Sequence, residues 1–120
     1  MATTKDIGKM GEDVAAEYLS DLGYDIVERN YNVRMGEIDI IAVSPEDVLV
    51  FVEVKTRSGE CFGLACEAVD RRKQEKIIKA AQTYTYYGDM RFDIIEVYYE
   101  KGGEFLVKRI NHIENAFQVF

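Results

Sequence analysis

An α/β sandwich built on a mixed sheet is the fold class that the sequence predicts, on three observations. Two stretches carry apolar residues at helical spacing, and five others alternate or run apolar as strands do. Their order is α-β-β-β-α-β-β, which mixes hairpins with one helical crossover. The 120 residues contain a single proline, Pro45, with no repeat and no low-complexity tract, so one domain over 1–120 is expected. At 48% hydrophobic and 31% charged the chain matches ordinary globular domains and not disordered ones.

The first helix is expected over 7–22, where Ile7, Met10, Val14, Tyr18 and Leu22 share a face with Ala15 and Leu19 beside them. Gly23 supplies its stop. Strands follow over 24–31, 35–43 and 48–57, the last two separated by the turn chemistry of Ser44-Pro-Glu-Asp. Asp70 is placed to cap a second helix from Arg71 to about Tyr87, with Ile77, Ile78, Ala81 and Tyr84 on one face and Gly88-Asp89 as its end. Strands over 91–99 and 104–110 then form a hairpin through Gly102-Gly103. Two cysteines are too few for a disulfide scaffold. The start, Met1-Ala-Thr-Thr-Lys-Asp, has no apolar run of a signal peptide, and no stretch reaches the length of a membrane span. A soluble cytoplasmic protein with no membrane partner is the expectation.

The third strand carries the chemistry. Val48, Val50, Val52, Val54 and Thr56 alternate with Leu49, Phe51, Glu53, Lys55 and Arg57, and successive side chains point to opposite faces. One face is apolar to its end, whereas the other turns charged at Glu53. A strand apolar on both faces lies mid-sheet, so Glu53 and Lys55 stand where core gives way to a cleft. In the preceding strand Ile38, Ile40 and Ala42 alternate with Glu37, Asp39, Ile41 and Val43, which puts Glu37 and Asp39 on one face. Hairpin register then decides the outcome. A four-residue loop pairs Val43 with Val48 and sets Asp39 against Val52; a five-residue loop, or one bulge, pairs Val43 with Leu49 and sets Asp39 against Glu53 and Glu37 against Lys55.

Directly opposed Cβ atoms are about 5 Å apart. In the second register Asp39 and Glu53 can share one divalent cation while Lys55 reaches a phosphate or an attacking water. Hard oxygen ligands on a half-open site suit Mg²⁺ or Mn²⁺, which polarises a phosphoryl oxygen and acidifies bound water. The competing reading is a solvated surface with cross-strand ion pairs. Against it, these charges interrupt apolar strands, where burial needs partners or a metal.

Fifteen Lys and Arg against 22 Asp and Glu leave a net charge of −7. Such a chain repels nucleic acid at long range, because polyanion binding rests on phosphate neutralisation. Local clustering offers an answer: Arg57, Arg71, Arg72, Lys73, Lys76 and Lys79 follow the third strand or lie on the second helix, and Arg29 and Arg34 could extend the patch. Contacts of this kind position a duplex without reading its sequence. Cys61 and Cys66 have no second pair and no suitable histidine, so zinc is not expected. His112, the only histidine, lies far along the chain from the acidic cluster and is expected to cap or to sit at the surface.

Gly11-Glu12, Arg29-Asn30-Tyr31, Gly36-Glu-Ile-Asp-Ile-Ile-Ala42, Phe51-Val-Glu-Val-Lys-Thr-Arg57, Glu67-Ala-Val69 and Arg72-Lys-Gln74 occur in this order. Together they resemble the YraN family of small bacterial proteins, over nearly the whole chain. That resemblance implies a restriction-endonuclease-like fold of the PD-(D/E)xK superfamily, close to Holliday-junction resolvases. It assigns metal ligation to Asp39 and Glu53, the catalytic lysine to Lys55, and a supporting acid on the first helix to Glu12. Glu12 borders the apolar arc of its helix, which agrees with an inward-leaning role. Gln74 shares a face with Ile77, Ile78 and Ala81, and the resemblance puts a Gln or Lys there beside the site; a half-exposed helix-end residue is the other reading. Glu37 is common in the family at its position, without an assigned role. The segment Phe62-Gly-Leu-Ala-Cys66 departs from the family by lacking a proline near Ala65, which bears on loop conformation.

Two function classes follow. The first is a Mg²⁺- or Mn²⁺-dependent nuclease hydrolysing a phosphodiester of DNA, branched or damaged, with Arg57, Arg71, Arg72 and Lys73 on the backbone. The second is a non-catalytic module that binds nucleic acid or protein and retains the fold. An intact Asp39, Glu53 and Lys55 favours the first. The −7 charge and small size favour the second, or a homodimer or larger protein partner.

Overall fold

The computed structural model describes residues 3–59, 69–84, 86, 88–102 and 104–118. Helix α1 (Thr4–Asp21) is followed by β1 (Asp25–Val33), β2 (Gly36–Val43), β3 (Leu49–Ser58), α2 (Arg71–Ala81), β4 (Met90–Glu100) and β5 (Leu106–Phe117). This mixed α/β fold has one five-stranded sheet in sequential order, β1-β2-β3-β4-β5. Every neighbouring pair is antiparallel except β3 and β4, whose parallel pairing requires the crossover that contains α2. Among the described residues no helix is long and apolar enough to cross a membrane. Cys61, the segment 62–66, Glu67, Ala68, Tyr87 and Gly103 lie outside the described residues, and with them the cysteine reading, most of the Glu67-Ala-Val69 motif, the expected end of the second helix and half of the Gly-Gly turn.

Helix α1 starts before the expected position because Thr3 and Asp6 form a capping box: the Thr3 hydroxyl accepts from the Asp6 N–H, and the Asp6 carboxylate accepts from the Thr3 N–H. Helix α2 starts at Arg71 under the expected cap, Asp70, whose carboxylate accepts from the Lys73 N–H at 2.8 Å. It ends at Ala81, well short of Tyr87. There the Gln82-Thr-Tyr sequence brings β-branched and aromatic residues, and the Thr83 hydroxyl turns back to the Ala80 carbonyl. Strand β5 runs on to Phe117, seven residues past the expected end.

The sheet separates two cores. On the α2 side Phe51, Phe92 and Phe117 stack in a row, with ring centroids 5.5 and 5.1 Å apart, over Ile41, Leu49 and Ile77. On the α1 side Ala15 and Leu19 pack on Val50, Val52, Ile95 and Val97. Helix α1 lies tightly against β3 at Gly11, which is buried and where any Cβ would overlap the Thr56 side chain. Gly11→Ala should therefore lever α1 off β3 and cost about 1–3 kcal/mol of unfolding free energy. A denaturant midpoint unchanged from wild type would contradict this packing.

The candidate metal and phosphate site

Five residues, Ser44 to Val48, connect β2 to β3, and Val43 pairs with Leu49. This is the register that sets Asp39 against Glu53. The ladder runs as far as Ile40 opposite Val52 and no further. One step on, the Val54 N–H donates to Asp39 Oδ2 at 2.8 Å, so a carboxylate stands in for the partner strand's carbonyl. The strands part at that point, and the acidic pair occupies the opening.

The alternation expected in β2 does not hold through Asp39. Ile40 and Ala42 belong to the α1-side core, but Ile38 packs on the α2 side with Ile41 and Ile77. Strand β1 changes face at the same level: Arg29 reaches Asp13 of α1, whereas Tyr31 packs on the α2 side. Between them Asn30, flanked by the pairs Arg29–Ile40 and Tyr31–Ile38, has φ 53°. Asparagine tolerates this left-handed conformation better than most residues. A local twist of both strands thus turns the Asp39 side chain towards the backbone of β3.

Asp39 is 9% exposed and Glu53 5%. Burial raises both carboxyls above their ordinary values, and each is raised further by neighbouring acids; Glu53 is pushed up to about 7, with Asp39 the main neighbour. Two cations oppose this. Lys55 Nζ is 3.9 Å from Glu53 Oε1, and Lys73 Nζ, reaching over from α2, is 3.8 Å from the same oxygen. The exposed Glu37 adds to the negative field on both acids. Because Glu53 gains affinity for a proton on folding, stability falls as pH rises from about 4.5 to about 7. Glu53→Gln removes that penalty. Relative to wild type, the variant should be about 2–3 kcal/mol more stable at pH 8 than at pH 4; a pH-independent difference in denaturant melts would contradict the buried pair.

Glu12 is half-buried on α1, and its carboxyl is raised by burial and by Asp39. It lines an open cleft of about 220 Å³ together with Ile7, Gly8, Val54, Lys55, Thr56 and Tyr99. Gln74 donates its side-chain amide to the Val69 carbonyl at 2.8 Å, fixing the residue that leads into α2. Tyr99 and the contact of Lys73 with Glu53 were not legible as site features in the sequence. The helical position of Lys73, one turn from Ile77, was the signal for it.

The basic patch is smaller than the charge count suggests. Arg57 turns inward: its side chain is 10% exposed, its Nε lies 3.0 Å from Glu96 Oε2, and Asn111 donates to the other Glu96 oxygen at 2.7 Å. Arg29 donates to Asp13 at 2.7 Å. Arg71 and Arg72 are exposed on α2, with Arg71 Nε 3.9 Å from Glu75 Oε1.

His112 is neither a cap nor a surface residue. Its side chain is 8% exposed, Nε2 is 2.7 Å from Asp93 Oδ2, and Nδ1 is 3.1 Å from the Tyr18 hydroxyl. Asp93 is fully buried on the α1 side of β4. Asp93, His112 and Glu114 are, among the described residues, the one group of three such side chains whose ligand atoms lie within 4.8 Å. The cation at their centre is Arg91: it donates to Asp93 at 2.9 and 3.2 Å, to Glu114 at 3.2 Å and to the Tyr24 hydroxyl at 2.6 Å. The chain itself neutralises these acids.

Comparison with known proteins agrees with the motifs. A model of the family described as "Uncharacterised protein family UPF0102" matches residues 11–97, a span that includes Glu12, Asp39, Glu53, Lys55, Lys73 and Gln74. A UPF0102 protein of Caldanaerobacter subterraneus subsp. tengcongensis is 48% identical over 118 residues, covering 94% of this chain and 95% of that one. A UPF0102 protein of Clostridioides difficile is likewise 48% identical over 118 residues, with coverage of 94% and 97%. One from Dictyoglomus thermophilum is 46% identical over 107 residues, covering 85% and 90%. The chain belongs to the UPF0102 family.

Proposed function

We propose that the protein is a metal-dependent nuclease of the restriction-endonuclease-like PD-(D/E)xK kind, acting in the cytoplasm on a phosphodiester of branched or damaged DNA. One observation carries this reading. Two buried carboxylates, Asp39 and Glu53, meet where β2 and β3 part, and lysines from two different elements face one of them. Like charges buried side by side are costly unless a cation sits with them.

The donor set fits a hard divalent ion. Glu53 presents a buried carboxylate, and Asp39 keeps one oxygen beyond the one that the Val54 N–H engages. Bound there, Mg²⁺ or Mn²⁺ would supply an acidified water and charge neutralisation at the phosphate. Lys55 and Lys73 hold fixed positive charge beside the acidic pair and stabilise the extra charge that develops on the scissile phosphate. Glu12 approaches Asp39 from α1, and its carboxyl, raised by burial and by Asp39, can hold or pass a proton beside the acidic pair. Gln74 acts as a positioning residue by holding Val69 and so the entry to α2. Arg71 and Arg72 take backbone phosphates.

Cleavage of linear, flapped and four-way DNA with Mg²⁺ or Mn²⁺ tests the proposal. Wild type should cut at least one of them and Glu53→Ala none. Replacing Arg71, Arg72 and Lys73 together should weaken binding to all duplex sequences alike and flatten the salt dependence by about one unit of slope per lost phosphate contact. Unchanged affinity and slope would show that this helix face makes no contact with DNA.

The second reading, a non-catalytic module binding nucleic acid or protein, is favoured by the inward turn of Arg57 and the pairing of Arg29, which leave less free positive charge on a chain of −7. A homodimer or larger protein partner would supply the missing charge. DNA binding, or capture of one defined protein, without cleavage of any substrate would select this reading.

A further inference from the structure

On the α2 side of the sheet Glu53 begins a polar surface that runs on across three strands. Register sets its rows. Lys55 lies beside Glu96, and Glu96 opposite Asn111; two residues further on, Arg57 lies beside Tyr98, and Tyr98 opposite Arg109. Side chains two apart on a strand share a face, and the contacts made here agree. Arg57 and Asn111 both meet Glu96, and the Arg109 guanidinium sits over the Tyr98 ring with Cζ 3.9 Å from its centroid. Glu96 is buried, and Arg57 answers its charge. Arg109 differs from its neighbours. It is exposed, and among the described residues no carboxylate pairs with it, not even Glu100 or Glu104 at the turn beyond. An aromatic ring holds a guanidinium in place without using up its N–H donors. With strands about 4.8 Å apart and residues about 3.3 Å apart along them, Arg109 lies roughly 12 Å from Lys55 and roughly 16 Å from Glu53. Helix α2, which carries Arg71 and Arg72, packs towards β2, whereas β5 lies on the far side of β3. A backbone held at Glu53 therefore has cations on both sides of it.

We propose that Arg109, held on Tyr98, binds a backbone phosphate of the DNA strand that Asp39 and Glu53 engage, a few nucleotides from the scissile one, and so sets the path of DNA across β4 and β5. The inference rests on the nuclease reading and extends its phosphate contacts to the side of the centre away from α2. Arginine suits the role because its planar fork donates two parallel hydrogen bonds to one phosphate. Such a contact fixes position and carries no sequence information.

The test uses whichever of linear, flapped and four-way DNA wild type holds most tightly, with binding followed by fluorescence anisotropy in Ca²⁺ over a salt series. Arg109→Gln should weaken binding about ten-fold, as the loss of a charged hydrogen bond does, and lower the salt slope by about one unit. Arg109→Lys should restore the slope, because the charge returns, but not the whole affinity. Lys9→Gln makes the same charge change at an exposed position of α1, across the sheet. It should change affinity less than about two-fold, since salt screens a charge that distant from the DNA. A neutral methylphosphonate moved along the strand then locates the contact: at one position it should weaken wild type about ten-fold and leave Arg109→Gln unaffected. Equal losses in Arg109→Gln and Lys9→Gln, or no linkage that separates wild type from Arg109→Gln, would overturn this contact while leaving the nuclease reading intact. Wild type that binds none of the three DNAs would overturn both.

Discussion

Lys55→Ala should lower DNA cleavage about 10²- to 10³-fold, the usual effect of removing one preorganised group that stabilises transition-state charge. Manganese binding should persist or tighten, since a competing positive charge has gone. The cleavage that remains is assigned to Lys73, whose Nζ lies 3.8 Å from the same Glu53 oxygen that Lys55 approaches at 3.9 Å. Adding Lys73→Ala should therefore lower it further, and by more than Lys73→Ala does alone. Asp39→Asn should lose cleavage and metal affinity together. Asparagine is the better substitution here because its amide oxygen can still accept from the Val54 N–H, whereas alanine would leave that buried donor unpaired. Metal binding by Asp39→Asn equal to wild type, or full activity in Lys55→Ala, would contradict the assignment of roles.

The largest expected effect on stability lies elsewhere, at Asp93. Its carboxylate accepts from Arg91, from His112 and from the Asn115 N–H, and so ties β4 to β5; through Tyr18 the same network reaches α1. Burial pushes the Asp93 carboxyl up, but these hydrogen bonds and the Arg91 charge outweigh it and hold the group below its ordinary value. Its contribution is complete above the unfolded value of 3.8 and is lost as pH falls through the lower folded value. Asp93→Ala takes the shared buried carboxylate away from a guanidinium that is only 16% exposed, a histidine and a backbone N–H. Removing one partner of a buried pair typically costs 3–5 kcal/mol. For a domain of this size that lowers the melting temperature by roughly 15 °C at neutral pH, with the gap to wild type narrowing in strong acid. A melting temperature within two or three degrees of wild type would show the network to be slack.

Much of the fold was legible because its signals are local. The alternation of Leu49 to Arg57, the cap at Asp70 and the apolar faces of both helices each lie within one element, and the five-residue loop that aligns Asp39 with Glu53 could be counted. What was hidden depends on partners distant in sequence. Four of the residues 111–115 are polar, and the expected strand stopped before them; in the fold Asn111, His112 and Glu114 find Glu96, Asp93 and Arg91 on the neighbouring strand. The face change at Asp39 follows from the left-handed Asn30 across the ladder, which no alternation in β2 could reveal. Likewise the sign of a charge does not say where it points. Arg57 read as a phosphate contact and lies against Glu96, whereas Lys73 read as a patch residue and reaches Glu53.

The central claim is that Asp39 and Glu53 together form a divalent-cation centre. Calorimetric titration of folded wild type with Mn²⁺, run beside Asp39→Asn at the same pH, addresses it directly. The account predicts saturable binding that requires the intact pair, releases protons as the raised Glu53 carboxyl ionises, and is weaker by at least ten-fold in the variant. No binding by wild type at millimolar Mn²⁺, with DNA present or absent, would contradict it.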